Sequence, residues 1–435
     1  MSVKLLLSAI ACDPFGGSEG IYGWNIVSTL ATEFDCHVIT HTSNRESLET
    51  AQARGMIPQG LAFRYHGKLA PYHENRLVAR LQSWTRYQTF SRELLPLAIQ
   101  WHKEVNFDVA QHLTYTTWRV ASPLWRLGIP FIWGPISGTE LFPRQCYSSL
   151  SLHSKLFELL RAAQSALAKR NPKIRECARH ASAILVPHQQ AKSYLSEFVK
   201  GSTTVDFCHN FIFPDARLKD LEQPVRSPQP KLPLTAFAAG NLEGRKGVAI
   251  SLHALAMARD RGVKISYRVT SSGPELNHLK KLARKLALSD QVILGEQFPP
   301  GEYARALGKF DLCLLPSLRD GAGLSIMEAM LAGCVPIVAD WCGPAEYVNS
   351  ENGFKVEVTD PMTMARAISD ILCNLDSDRA RLCRLGNAAA ASMRAGYNET
   401  QFRDFLSKTI TKIIASTSEL PADAVVPLFP ISPQT

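Results

Sequence analysis

The sequence predicts an α/β protein of two doubly wound domains, each a parallel sheet wrapped by helices. Three observations predict it. The chain has 435 residues, more than one core ordinarily holds. Near its start an apolar strand runs into a glycine loop and then a helix, the opening of a dinucleotide-type fold. After a proline-rich stretch at 214–233 the strand–helix alternation restarts and runs to the end.

Taking the elements in order, residues 3–10 fit a strand buried on both faces. The run also has the look of a weak signal peptide, but Asp13, Pro14 and Gly16-Gly17 follow at once, so it is read as a strand entering a loop. Trp24, Val27, Leu30 and Ala31 recur at helical spacing, and 36–40 is the next strand. Further strands are expected at 108–113, 130–133 and 183–186. The second half reads as strands at 234–239, 264–270, 291–294, 311–315 and 335–339. Helices lie between them at 247–260, 275–286, 301–308 and 324–332, and three more follow at 361–374, 378–395 and 399–416. The expected organisation is a first domain at 1–213, a linker at 214–233, a second domain at 234–398, a final helix at 399–416 returning to the first domain, and a flexible tail at 417–435.

The formal net charge of +9 favours an anionic partner without choosing among a phosphorylated substrate, an acidic membrane face or nucleic acid. Ten cysteines are scattered singly, with no CxxC pair and no Cys/His spacing suited to zinc, so they are read as reduced thiols of a cytosolic protein. His37, His41, His66 and His73 share no metal-binding pattern. No run of about 18 apolar residues occurs, so no membrane span is expected. Between Arg144 and Lys200 ten Lys/Arg stand against three Glu, and Leu152, Leu156, Leu159, Leu160 and Ala163 form an apolar stripe. That pattern fits either a basic amphipathic helix on an anionic membrane surface or a packed helix with a solvated basic face, and the second is preferred.

Chemistry concentrates in three loops, each following a strand of the second half. From Leu315 to Met330 a strand end passes through Asp320, Gly321, Ala322 and Gly323 into a helix carrying Leu324, Ser325 and Glu328. Amides there can converge on an anion, and Glu328 can accept hydrogen bonds from vicinal hydroxyls. The same pattern fits an ordinary strand–helix turn capped by Asp320. Gly240 to Gly247 places Arg245 and Lys246 where a helix begins, unfavourable for cations unless an anion sits there. Ser272-Gly273-Pro274 is by itself only a turn signal. In the first half, His112 at a strand end could be catalytic or a satisfied core histidine. Trp118, Trp125 and Trp133 read as core before they read as sugar-stacking platforms.

On these residues the second half resembles the donor-binding domain of the family 4 glycosyltransferases, a retaining group with the GT-B fold. The matching features are the Gly240–Gly247 stretch with Arg245-Lys246, the Ser272-Gly273-Pro274-Glu275 turn, Leu315-Pro316-Ser317, and the acidic Asp320 followed by Glu328-Ala329-Met330, Gly333 and Pro336. Gly16-Gly17-Ser18-Glu19 with Gly23-Trp24-Asn25, Gln111 to Tyr115, and Phe131 to Pro135 resemble a bacterial subset with a GSE…GWN loop. The resemblance implies a GT-B protein, two Rossmann-like doubly wound domains facing a central cleft, the first binding the acceptor and the second the nucleotide sugar.

It implies that Arg245 and Lys246 neutralise the departing diphosphate, and that Glu328 holds the donor ribose. Asp320 and the amides of Gly321 to Leu324 would orient the transferred sugar or its phosphate, with Ser325 beside them at the donor. Gly240, Gly273, Gly16 and Gly17 would let backbone approach the donor, and His112 would face its sugar. Where many members carry Glu this chain has Asp320, and Asn241 stands where a basic residue is frequent. No metal and no cofactor are expected. The implied partners are a nucleotide-diphosphate sugar and a glycan or polyprenyl-linked sugar acceptor, at the cytoplasmic membrane face, in bacterial surface polysaccharide synthesis. Nucleic acid is not expected, since no binding motif occurs. Competing readings are a nucleotide-sugar epimerase and a catalytically decayed sugar-nucleotide-binding protein.

Overall fold

Two parallel sheets organise the chain. A computed structural model describes residues 2–68, 76–197, 199, 203–208, 213–223, 225–227, 233–298 and 302–418. The first sheet comprises β1 (Lys4–Ala9), β2 (Asp35–His41), β3 (Leu61–His66), β4 (Val109–His112), β5 (Phe131–Trp133), β6 (Ala183–Val186) and β7 (Thr204–Phe207), in the order β3-β2-β1-β4-β5-β6-β7. The second comprises β8 (Leu234–Ala239), β9 (Ile265–Thr270), β10 (Val292–Leu294), β11 (Leu312–Leu314), β12 (Val335–Ala339) and β13 (Phe354–Val356), in the order β10-β9-β8-β11-β12-β13. Every recorded pairing is parallel, and in both sheets the order reverses beside the first strand, between β1 and β4 and between β8 and β11. Open α/β sheets bind ligands outside the carboxyl ends of strands at such reversals.

Alternation along β1 feeds two layers. Leu5, Leu7 and Ala9 pack with Tyr22, Ile26 and Leu30 on one face, while Leu6 packs with Phe90, Trp118 and Trp133 on the other. Trp118 and Trp133 are wholly buried and Trp125 stacks on His180 at 4.7 Å, so all three are core residues. The last helix, Glu399–Ser418, lays Phe402, Leu406 and Ile410 on the β1 layer, and Arg403 Nε lies 3.1 Å from Glu33. Its range takes in 417 and 418 of the expected tail, and the rest of that tail lies outside the described residues, as does His73.

Several elements were not anticipated. β3 is half-buried along its whole length, an edge strand whose Leu-Ala-Phe-Arg-Tyr-His carries no apolar run. The 30-residue helix Arg76–Val105 contains Pro96, which reads in a sequence as a break. Within the expected linker Asp215–Asp220 is helical, and Arg226 Nη2 donates to the carbonyls of Phe310 (2.5 Å) and Ala332 (3.3 Å), fastening that stretch to the second domain.

The expectation that the leucine stripe packs inward is overturned. The helix Leu152–Arg170 buries Ser154, Glu158, Ser165 and Ala168 instead. The second domain presents polar groups to it: Ser154 Oγ donates to Glu275 (2.6 Å), and Arg319 grips Glu158 through Nε and Nη2 at 2.8–3.2 Å. Leu152 is left 84% exposed and Leu156 58%, with Leu159, Leu160 and Leu167 similar. Seated on this seam, Leu150 joins the second domain's core.

Gly247 has φ +69°, and a Cβ there would lie 2.1 Å from the Pro316 carbonyl oxygen. G247A should therefore lower unfolding stability by about 1–3 kcal/mol in a denaturant titration. G17A, with nothing within 4 Å of a new Cβ, should stay within about 0.5 kcal/mol of wild type. Equal stability of G247A and G17A would contradict this packing.

Candidate functional site

The loops after β8 and β11 flank the reversal of the second sheet, and they cross. After β8 the chain makes a one-turn helix, Gly244–Lys246, passes through Gly247, and enters the helix Val248–Asp260. After β11, Leu318 N–H donates to the Arg245 carbonyl (2.7 Å), and Ser317 Oγ donates to the same oxygen (3.3 Å). Small residues permit the crossing, since Gly240 (φ +115°) leaves 3.2 Å between a would-be Cβ and Lys246 Nζ.

Within the crossing Lys246 Nζ lies 2.5 Å from Asp320 Oδ2, and Arg245 Nη1 lies 3.8 Å from Asp320 Oδ1. Arg245 Nε meets Glu243 at 2.5 Å, and its Nη1 donates to the Arg319 carbonyl at 2.7 Å. Burial raises the Asp320 carboxyl, but Lys246 and Arg245 outweigh it and hold the group at about 2. Burial likewise lowers the Arg245 guanidinium, and Asp320 and Glu243 more than reverse it, so the group stays charged. Two carboxylates stand against two cations, so the arrangement fixes where charge sits more than it adds net charge. The anion that offsets cations at this helix start is thus the chain's own Asp320.

Beyond Asp320, Gly321 to Gly323 lead into the helix Leu324–Leu331, which no side chain caps. Gly323 (φ +71°) sets its start, Tyr347 Oη donates to the Ala322 carbonyl (2.9 Å), and Ser325 Oγ donates to the Ala239 carbonyl (3.0 Å). Glu328, one turn further on, lies 2.5 Å from Arg217 Nη2 and accepts from Tyr303 Oη at 3.1 Å. Gly273 has a packing reason for lacking a side chain: a Cβ would lie 2.5 Å from the Leu242 backbone, where the β8 and β9 loops lock through Leu242 N–H to Ser272 O (3.1 Å) and Glu275 N–H to Leu242 O (3.0 Å).

Facing these loops is the first domain. A cavity of about 280 Å³ is lined on one side by Arg245, Arg319, Asp320 and Gly321 and on the other by Thr116, Thr117, Arg119, Ser137, Glu140 and Arg161. His112, at the β4 end, is buried with Nδ1 lacking a partner among the described residues, and burial lowers its imidazole to about 4. Tyr87 stands edge-on to it at 6.3 Å. The Gly16-Gly17 turn belongs to the same edge: Glu19, just beyond, accepts from Tyr115 N–H (2.7 Å), and Ala11 N–H donates to Thr114 (3.0 Å). Among the described residues no hydrogen bond or ion pair links His112, Gly16 or Gly17 to Arg245, Lys246 or Asp320. The structure thus joins Arg245, Lys246, Asp320, Gly321 and Ser325 around one reversal, sets His112, Gly16 and Gly17 at the other, and leaves Glu328 a turn along the helix.

Comparison with known proteins bears on this arrangement. Residues 221–386 match the family model described as glycosyl transferases group 1. The chain is 30% identical over 150 residues to D-inositol 3-phosphate glycosyltransferase of Corynebacterium diphtheriae, covering 33% of this chain and 34% of that relative. It thus spans about a third of the length of the curated relatives it matches. Over nearly its whole length it superposes on solved structures. Sucrose-phosphate synthase from Thermosynechococcus elongatus aligns with TM-score 0.60 and 16% identity, over 95% of this chain and 100% of that one. Anabaena HepE, solved in complex with UDP, aligns with TM-score 0.61 and 15% identity, over 94% and 100%. The fold is GT-B, two Rossmann-like domains with the crossed loops on the second. No helix among the described residues is long and apolar enough to cross a membrane, and no group of three or more metal-binding side chains occurs among them.

Sequence reasoning missed Arg119, Glu140, Arg161, Arg217, Tyr303 and the Glu158–Arg319 pair. Arg319 adjoins Asp320 in the loop singled out, but its partner lies 161 positions away, beyond any local pattern.

Asp320 and Glu140 both titrate at about 2 in the folded protein, the latter because burial, which raises it, is outweighed by His188 and Arg161. In an unfolded chain each titrates near about 4. The unfolded state therefore takes up protons first, so the stability these groups confer is full above the ordinary carboxylate range and is lost as pH falls through about 2. Acid unfolding followed by circular dichroism should show this limb, and D320N should flatten it. An unchanged acid limb in D320N would contradict the pairing.

Proposed function

We propose that the protein is a retaining glycosyltransferase of family 4. It moves a hexosyl group from a nucleotide-diphosphate sugar to a glycan or lipid-linked acceptor, in bacterial surface polysaccharide synthesis. The observation that carries this reading is the crossed-loop cluster, in which Arg245 and Asp320 line one wall of an interdomain cavity, buried Lys246 pairs with Asp320 behind it, and the other wall belongs to the first domain. Breaking a glycosidic bond to a diphosphate builds negative charge on the departing oxygen. Cations already held in position stabilise that charge more than they stabilise bound donor, and so lower the barrier. Uncapped amides at Gly321 to Ser325 add the favourable end of a helix dipole. Glu328 would take the ribose hydroxyls, with Arg217 and Tyr303 fixing its carboxylate. His112, neutral over the physiological range, would face the sugar from the first domain.

K246A should cut transfer about 10²–10³-fold at a temperature where the variant remains folded, and should lower the melting temperature as well, because buried Asp320 is left with Arg245 alone. Transfer at the wild-type rate would end this reading. E328A should chiefly weaken nucleotide binding, read by thermal shift.

The outward leucine face supports a peripheral seat on the anionic inner face of the cytoplasmic membrane. Leu152, Leu156, Leu159, Leu160 and Leu167 project to solvent beside Lys155, Lys169 and Arg170, an apolar stripe with a basic border. The protein should float with phosphatidylglycerol vesicles and not with phosphatidylcholine vesicles. The double variant L156E/L160E should lose flotation while keeping its fold. Flotation undiminished in that variant would remove the membrane assignment.

A further inference from the structure

The interdomain cavity holds more cationic side chains than the diphosphate role uses. At its second-domain end Asp320 is committed to Lys246 and Arg245, and Glu243 to Arg245. Arg319 is gripped by Glu158 through two nitrogens. That leaves Arg119 and Arg161, contributed by the first domain, with Glu140 as their shared carboxylate. Glu140 is itself engaged, since its Oε1 accepts from Gly138 N–H (3.2 Å) and lies 3.1 Å from His188 Nε2, while Oε2 stands 3.7 Å from Arg161.

The remaining contacts of the two guanidiniums are weak in charge. Both donate to the Gly138 carbonyl, Arg119 at 2.8 Å and Arg161 at 3.1 Å, and Arg119 also reaches Ser165 Oγ at 3.4 Å. Arg161 Nε is buried without a partner among the described residues. A guanidinium carries five N–H donors in a fork that matches carboxylate or phosphate oxygens. Here two such forks line one small cavity. Burial, and then the neighbouring Arg319 and Arg119, lower the Arg161 guanidinium to about 10, and Arg119 is lowered as well. Half-buried like charges that lack their full set of acceptors cost stability unless something completes them.

The neighbours of the two arginines on the same wall say what kind of molecule would complete them. Thr116 and Ser137, with hydroxyls 2.9 Å apart, and Thr117 offer neutral donors and acceptors suited to sugar hydroxyls. A cavity of about 280 Å³ holds about nine waters at roughly 30 Å³ each, room for one monosaccharide. We infer that Arg119 and Arg161 form an anion subsite that takes a phosphate or carboxylate carried by a monosaccharide in the cleft, so that the enzyme selects a charged sugar at this position. This rests on the transferase reading for the position of the diphosphate. The anion can arrive on the acceptor or on the transferred sugar, and the test separates the two.

In the acceptor arm, the protein is first saturated with the nucleoside diphosphate that stabilises it most, which occupies the Arg245-Lys246 end. Glucose 6-phosphate, glucuronic acid and glucose are then titrated by thermal shift and calorimetry. In the donor arm, nucleoside-diphosphate glucuronic acid is compared with nucleoside-diphosphate glucose. The expected result is at least tenfold tighter binding of the charged probe than of glucose in one arm. R161Q and R119Q should lose that preference while binding the nucleoside diphosphate as wild type does. R161K, which keeps the charge but not the fork, should fall between. Equal binding of charged and neutral probes in both arms overturns the inference while leaving the transferase reading intact, as does a preference that survives in R119Q/R161Q. No stabilisation by any nucleoside diphosphate overturns both.

Discussion

The site depends on one buried carboxylate. Asp320 sits where the loops after β8 and β11 cross, and it holds Lys246 and Arg245 against the sheet reversal. Without it, two cations beside a helix start would repel each other and turn to solvent. With it, they have fixed positions, and fixed positions let charge stabilise a transition state without first reorganising. Gly240 and Gly247 serve this geometry, one giving the Lys246 ammonium room and the other letting the turn lie on the Pro316 carbonyl.

A second buried pair, Glu158 with Arg319, ties the halves together next to that carboxylate. A buried ion pair adds little net stability over well-packed apolar residues, but losing one partner is costly, because the other is left charged and dry. Its effect here is registry. It sets the helix Leu152–Arg170 with its polar face against the second domain, and so turns five leucines outward. The same helix delivers Arg161 to the cavity. Seam, leucine surface and arginine cluster are therefore consequences of one orientation.

Much of the fold was legible. Strands buried on both faces announced themselves as apolar runs, and β6, β8 and β12 fall on the residues expected. Elements that pack on one side or hold a proline did not, as β3 and the Arg76–Val105 helix illustrate. At the site, Arg245 and Lys246 stood out because cations beside a helix start conflict with local preference, and their pairing with Asp320, from the other singled-out loop, resolves that conflict. The packing requirement at Gly273 was not legible, because a glycine needed for loop packing and one needed for a ligand look alike in sequence. The leucine stripe was misread because periodicity shows that a helix has two faces and not which one meets the protein. Polar partners on another domain, Glu275 and Arg319, decided that.

The central claim is that the crossed loops recognise a diphosphate, and calorimetry against a nucleoside and its diphosphate tests it most directly. The account predicts that the two phosphates tighten binding by about two orders of magnitude or more, and that R245A/K246A erases this gain while leaving nucleoside affinity unchanged. Equal affinity for nucleoside and diphosphate in the wild-type protein would contradict it.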